Sequence, residues 1–407
     1  MKRRFTMVLV SALVTGLILT GSATAQQPVK IGFAHVFSGG MATFGQVAKQ
    51  GAEMAVREIN DQGGILGRPV QIVPGDTAVK PDIAKKSIRG LVLDEDVDIV
   101  IGIVSSAVAK AVTPMMSELQ CPLIVTHAMA QELTGVLHNP WTFRMTWNVD
   151  QCYKASALLA QDLGVTTWTT VGPDYGFGQQ SWKFFKKHLG MLGSYTFDTG
   201  YFVPMSTQEW TPVIQKIKDS PADAIMISLW GNNLKDFLEQ AKKADLFSAK
   251  KAICPVGGSV EIFTALGFLD MPTGVWFGAP YWYEAYDNSA NRKFIADYKT
   301  LSHARIPPSY AAYNAYAAVK MFKAAAEKAG STDKDAVAKA LSGLTVHGLP
   351  VGTTTFRAED HQAIFDIAFG VTATKAAKGS TRIRGLDPVR LFAGIEVTPP
   401  VQQAQNE

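Results

Sequence analysis

Gln50-Gly51-Ala52-Glu53-Met54-Ala55-Val56-Arg57-Glu58-Ile59-Asn60-Asp61-Gln62-Gly63-Gly64-Ile65-Leu66-Gly67-Arg68-Pro69 is the stretch on which the fold turns. Its first part belongs to a helix predicted over Gln46–Asn60, because Val47, Gly51, Met54, Ala55, Val56 and Ile59 recur on one face at a spacing near 3.6 residues. Asp61-Gln62-Gly63-Gly64 then stops it, glycine being free to take the left-handed conformation that ends a helix. On either side lie short apolar runs, Val29–Ala34 before and Val70–Val73 after, that read as buried strands.

The same alternation continues: helix Asp82–Leu93, strand Asp98–Val104, helix Val108–Leu119, strand Leu123–Thr126. Repeated strand–helix units imply a parallel sheet covered on both faces. After Pro140 the pattern restarts. Helices over Gln151–Leu163, Gly178–Leu189, Trp210–Lys218 and Asn232–Ala244 separate strands at Thr167–Val171, Tyr195–Phe202, Ala224–Leu229 and Ala252–Pro255. A strand at Val275–Pro280 leads into helices Asn291–Leu301 and Tyr310–Gly330, and strands are expected again at Thr353–Phe356 and Ala363–Thr372. The fold class is therefore α/β, two doubly wound parallel-sheet lobes joined by short crossovers. No low-complexity linker separates them. The expected division is residues 26–144 and 278–346 in one lobe, and 145–277 and 347–407 in the other.

The first residues bear on compartment. Lys2, Arg3 and Arg4 precede an apolar run from Phe5 to Leu19, and small residues end in Ala23-Thr24-Ala25. That order is a secretory signal peptide, residues 1–25, and its apolar run falls short of the roughly 20 residues that cross a bilayer. The expected destination is the periplasm. The formal net charge of +4 includes those three cations, and no dense Lys/Arg cluster remains, which argues against a nucleic-acid partner. Apolar residues at 47% suffice for two cores. Cys121, Cys152 and Cys254 are an odd number in an oxidising compartment, so at least one stays free or pairs with another molecule. Buried thiols are the expectation.

Several segments together resemble the leucine/isoleucine/valine-binding branch of periplasmic receptors for ABC transporters, across nearly all of the chain after residue 25. They are the opening stretch, Val100-Ile101-Gly102 with Ser105-Ser106, Pro122-Leu123-Ile124-Val125, Glu132-Leu133-Thr134 and Asp174-Tyr175-Gly176-Phe177-Gly178. The resemblance implies a type I periplasmic binding fold and a hinged two-lobed clamp, usually a monomer. It implies capture of one small molecule, delivery to a membrane permease, no cofactor and no catalysis. Lacking a G-x-S-x-G elbow, an H-E-x-x-H helix and a phosphate loop, the sequence points away from an enzyme as well. A ligand-sensing domain is the other role this clamp serves.

Members of the branch hold the ligand carboxylate with a first-lobe serine and nearby N–H groups. The matching position is Ser106, beside Ser105, between a strand and a helix N-terminus. They receive an α-ammonium on a Thr after the fourth strand and a Glu of the second lobe; here those positions hold Met129 and Val256. Neither accepts a useful hydrogen bond, and a buried unpaired ammonium is costly. The expected ligand is therefore an organic acid without an ammonium, the alternative being a true amino acid. Phe44, Tyr175 and Trp230 fall at the branch's pocket positions, and Trp147, Tyr281, Trp282 and Tyr283 lie near predicted crossovers. Such rings suit an apolar or aromatic ligand body, and some receptors of this branch bind aromatic carboxylates. His35 and His127 follow predicted first-lobe strands, where an imidazole could meet a ligand oxygen; a metal is not signalled, and Arg144 reads as a hinge tie.

Overall fold

The apolar runs assemble into two parallel sheets whose covering helices are the crossovers between their strands. The computed structural model of the protein describes residues 27–301 and 306–401, and the segment read as a signal peptide lies outside them. The first sheet holds β1 (Val29–His35), β2 (Val70–Asp76), β3 (Ile99–Gly102), β4 (Leu123–Val125) and β5 (Thr142–Arg144), in the order β2-β1-β3-β4-β5, all parallel. The second repeats that order with β6 (Thr167–Pro173), β7 (Thr196–Val203), β8 (Ala224–Ile227), β9 (Lys251–Cys254) and β10 (Val275–Ala279), arranged β7-β6-β8-β9-β10. A separate small antiparallel sheet follows, made of β11 (Thr345–Leu349), β12 (Gly352–Phe356) and β13 (Ala363–Ile364). Then β14 (Ile367–Ala376) and β15 (Arg384–Phe392) extend the second sheet antiparallel beyond β10. Central strands such as β3 and β8 are buried along their whole length because helices cover both faces.

In each sheet the strand order reverses once, between β1 and β3 and between β6 and β8. Ligand crevices of open α/β sheets lie beyond the carboxyl ends of the strands at that reversal. Two such crevices therefore face each other.

Three differences from the sequence reading have local causes. Helix Pro81–Arg89 ends early and continues as one π-type turn over Gly90–Asp94. Strands β5, β11 and β15 were not expected, being three residues long, largely exposed, or charged and proline-bearing. Nor was helix Val260–Asp270, whose apolar residues run too continuously to show a period. The last crossing between lobes also comes later than residue 347. The small sheet packs on the first lobe, with Phe143 against Phe356 and stacked on His361 at ring-centroid distances of 5.4 and 4.1 Å, so the chain re-enters the second sheet at Ile367. The other crossings fall between Arg144 and Val149 and after Ala279.

All three cysteines are buried and unpaired, and burial pushes their thiols up, Cys121 to about 12. No helix among the described residues is long and apolar enough to cross a membrane.

The opening helix, Ala42–Asp61, ends where expected, and at Gly64 (φ 82°) a Cβ would lie 1.9 Å from the Arg68 carbonyl oxygen. Gly51 has a different duty: a Cβ there would stand 2.0 Å from the Ala312 carbonyl oxygen of helix Tyr310–Ala329. The two helices touch backbone to backbone, which only glycine permits at that point. Replacing Gly51 by valine should therefore cost about 1–3 kcal/mol through overpacking, read as a lower urea midpoint at unchanged slope.

Candidate functional site: an uncharged cavity between two lobes

Where the crevices meet lies a cavity of about 420 Å³. From the first lobe it is lined by Met41 and Phe44 after β1, Val79 after β2, Val104 to Ala107 after β3, His127 and Met129 after β4, and Tyr310. From the second lobe come Tyr175 and Phe177 after β6, Met205 after β7, Trp230, Gly231 and Leu234 after β8, and Val256, Ser259 and Ile262 after β9. Among the described residues, no charged side chain lines it.

Six helices open on this wall, three from each lobe, and each contributes a lining residue from its first turn: Phe44, Ser106 and Tyr310 on one side, Phe177, Gly231 and Ile262 on the other. Their positive ends make the cavity a favourable place for an anion although no cation lines it. Ser105 caps helix Ser106–Leu119, its Oγ accepting from Val108 N at 3.5 Å. Ser106 Oγ accepts from Ala130 N at 3.2 Å, which leaves the serine proton available to donate. Across the cavity Trp230 Nε1 donates to Tyr175 Oη at 2.9 Å, so the tyrosine proton is likewise uncommitted.

Eight of the ten expected site residues meet here: Phe44, Ser105, Ser106, His127, Met129, Tyr175, Trp230 and Val256. His35 and Trp147 do not line the cavity. His35 is fully buried behind His127, edge-on at 4.9 Å and stacked on Phe33 at 5.5 Å. Trp147 is 3% exposed and turns toward Phe369, at 6.5 Å, in the second lobe. Tyr281 and Trp282 also pack inside, the first bonded to Asn291 Oδ1 at 2.7 Å, the second to Glu284 Oε2 at 3.2 Å and against Phe263. Arg144 serves the hinge: it donates to Gln362 Oε1 at 2.7 Å, to the Ala130 carbonyl and to the Thr134 hydroxyl. Burial lowers it to about 9, with the Asp360 and Glu132 charges opposing that fall.

Residues missed by the sequence reading include Met41, Phe177, Met205, Ser259, Ile262 and Tyr310. Most share one legible signal, a place just after a strand's carboxyl end. Tyr310 has none, since it reaches the cavity only through the return of the chain to the first lobe.

His127 is held at Nδ1 by Thr126 Oγ1, 2.8 Å away. Burial lowers it to about 3, lowers His361 to about 4 with the neighbouring His138 adding to the fall, and, with His127 beside it, also holds His35 well below the usual imidazole range. These imidazoles are neutral in the folded protein, whereas the unfolded chain takes up protons near pH 6.5. Stability is thus complete above about pH 6.5 and is lost as pH falls toward 4, by about 1.4 kcal/mol per pH unit for each such histidine. Urea melts of His127→Gln over that window should show a slope shallower by one proton.

A family model described as periplasmic binding protein matches residues 28–378. The chain belongs to the periplasmic binding protein family. Its relatives in this family include Leu/Ile/Val-binding protein homolog 4 of Brucella melitensis, 25% identical over 413 residues, 95% of each chain. Its fold matches the amino acid ABC transporter substrate-binding protein of Pseudomonas fluorescens with a TM-score of 0.81 at 23% identity, over 91% of this chain and 96% of that one. A solute-binding protein of an ABC transporter from Rhodopseudomonas palustris HaA2, solved in complex with p-hydroxybenzoic acid, gives 0.79 at 22% identity, over 90% and 98%. Among the described residues, no cluster of three or more His, Cys, Asp or Glu is placed to hold a metal ion.

Proposed function

We propose that this protein is a periplasmic solute receptor that captures a small organic acid lacking an α-ammonium and delivers it to an ABC importer of the branched-chain amino acid type. The observation that carries this reading is the chemistry of the cavity wall: helix N-termini and hydroxyls, aromatic and aliphatic faces, and no charged side chain. An anion fits such a wall, since each helix end favours negative charge by about 0.3–1 kcal/mol. An ammonium does not. It would need a carboxylate or several good acceptors, and Met129 and Val256 occupy the lining positions from which the resembling branch supplies them.

The carboxylate is assigned to Ser106 and the amides that open helix Ser106–Leu119. The ligand body lies between Phe44 and Phe177, with the Tyr175 hydroxyl as a polar handle beyond it. The complex of the Rhodopseudomonas palustris protein with p-hydroxybenzoic acid supports an aromatic body; the name of the Brucella relative supports the competing amino-acid reading. Transport needs only binding, closure and release, so no residue is given a catalytic role.

A thermal-shift panel separates the two readings by pairing leucine, valine and phenylalanine with their deaminated acids, alongside benzoates and cinnamates. Acids should stabilise the mature protein and the matched amino acids should not; preferential stabilisation by leucine or valine would sink the proposal. Ser106→Ala should weaken the best acid about 10- to 100-fold, the range for a hydrogen bond to a charged group of about 1.5–3 kcal/mol. Unchanged affinity by calorimetry would remove Ser106 from the site. Val256→Glu places a carboxylate in the cavity and should weaken the same acid at least about tenfold at pH 7 through like-charge repulsion.

A further inference from the structure

The peptide unit joining Met129 to Ala130 has both of its polar atoms engaged, and the two partners belong to different lobes. Its N–H, from Ala130, donates to Ser106 Oγ at 3.2 Å on the cavity wall. Its C=O, from Met129, accepts at 3.1 Å from Val149 N, the first residue of the second-lobe helix Val149–Asp162. One rigid planar group thus spans from the serine at the cavity to the amino end of a helix beyond the first crossover. The Ala130 carbonyl is fixed as well, because the buried Arg144 guanidinium donates to it and to the Thr134 hydroxyl. On its other edge the same guanidinium donates to Gln362 Oε1. Gln362 in turn donates to the Thr146 carbonyl at 2.8 Å, so the first and third crossovers are tied together.

From this arrangement we infer that the Met129–Ala130 peptide couples occupancy of Ser106 to the position of the hinge, with Arg144 as the positioning residue that holds the peptide in register. The orientation matters chemically. With the Ala130 N–H filling an acceptor site on Ser106 Oγ, the serine is left as a donor toward the cavity, the role an anion requires. Peptide and hydroxyl also form a chain in which each bond polarises the next, headed by the positive end of helix Val149–Asp162. Rotation of the second lobe about the first crossover carries Val149 with it. The hydrogen bond to Met129, and through it the Ser106 donor, therefore differs between open and closed forms. By linkage, an anion that prefers the aligned serine favours the form in which that chain is intact.

This inference rests on the assignment of a carboxylate to Ser106, and its test keeps the two apart. Residue-resolved amide exchange is measured on the ligand-free mature protein, wild type, Ser106→Ala and Arg144→Lys, with circular dichroism to confirm the fold. Gln362→Met serves as a second route to the same tie if Arg144→Lys does not fold. Ser106→Ala should accelerate exchange at Val149, across the crossover, by about tenfold or more, and Arg144→Lys should do so at both Ala130 and Val149. Unchanged exchange at Val149 in Ser106→Ala overturns the coupling whatever the ligand. In calorimetry with benzoate and its neutral methyl ester as probes, Arg144→Lys should weaken benzoate several-fold and leave the ester unchanged. An equal loss for both marks Arg144 as merely structural and overturns its positioning role. If exchange at Val149 responds but the wild type favours the ester, the coupling stands and the carboxylate assignment fails.

Discussion

Six helices end with their amino termini against one cavity that, among the described residues, no charged side chain lines, and most of the remaining structure follows from that constraint. A parallel sheet places every crossover helix so that it begins where a strand has just ended. With two sheets of the same strand order facing each other, the positive ends converge from both sides. The sequence then has only to leave the space between them neutral, and it does so with Met41, Phe44, Val79, Met129, Met205 and Val256. The dipoles, being part of the backbone, need no reorganisation when an anion arrives. Burial pushes up the carboxyl of Glu261, in the first turn of helix Val260–Asp270, and so opposes a negative charge there.

Closure gains meaning from the same distribution. Three of the helix ends belong to each lobe, so on the proposed reading opening the clamp would withdraw half of them from a bound anion at once. An anion held by a single buried arginine would keep its partner in either state, and release would have to break a fully formed ion pair. Spreading the attraction over both lobes would make affinity for the proposed ligand a function of lobe position, so a transporter that pried the lobes apart would lower affinity by geometry alone. The hinge residues fit this division of labour. Arg144, Gln362, Asn148 and Gln151 are buried and hydrogen-bonded to one another and to nearby backbone, and none of them lines the cavity.

Much of this was legible in the residues. Alternating apolar runs and amphipathic stretches located the strands of both parallel sheets except β5, most plainly the central ones such as β3 and β8, because a strand covered on both faces must be apolar throughout. Glycine at 63 and 64 marked the end of the opening helix. Eight of ten expected site residues line the cavity, and most were carried over from the resemblance. They converge because the positions it supplied follow one rule, lying just past strand carboxyl ends, where topology rather than any particular side chain brings them together. His35 broke the rule by only one step: it is the last residue of β1, still inside the sheet, and it supports His127 instead of facing the ligand space. Trp147 sits in a crossover, where no periodicity says which lobe a ring will join. The antiparallel strand β15 hid behind Arg384, Asp387, Pro388 and Arg390, since an edge strand is free to carry charge and proline where an inner strand is not.

Tyr310 shows why sequence reading stops where it does. It is the first residue of helix Tyr310–Ala329, and nothing around it distinguishes it from other helix starts. It comes to the cavity because that helix packs on helix Ala42–Asp61, at a contact close enough to require Gly51, nearly 260 positions earlier in the chain. The backbone contact at Gly51 sets where helix Tyr310–Ala329 lies, and therefore where its amino end and the Tyr310 ring stand relative to His127, 5.5 Å away. A residue outside the cavity thereby fixes part of its wall. The opening stretch of sequence, which decides the fold by ending a helix at Gly63-Gly64, also decides through Gly51 how one side of the binding site is closed.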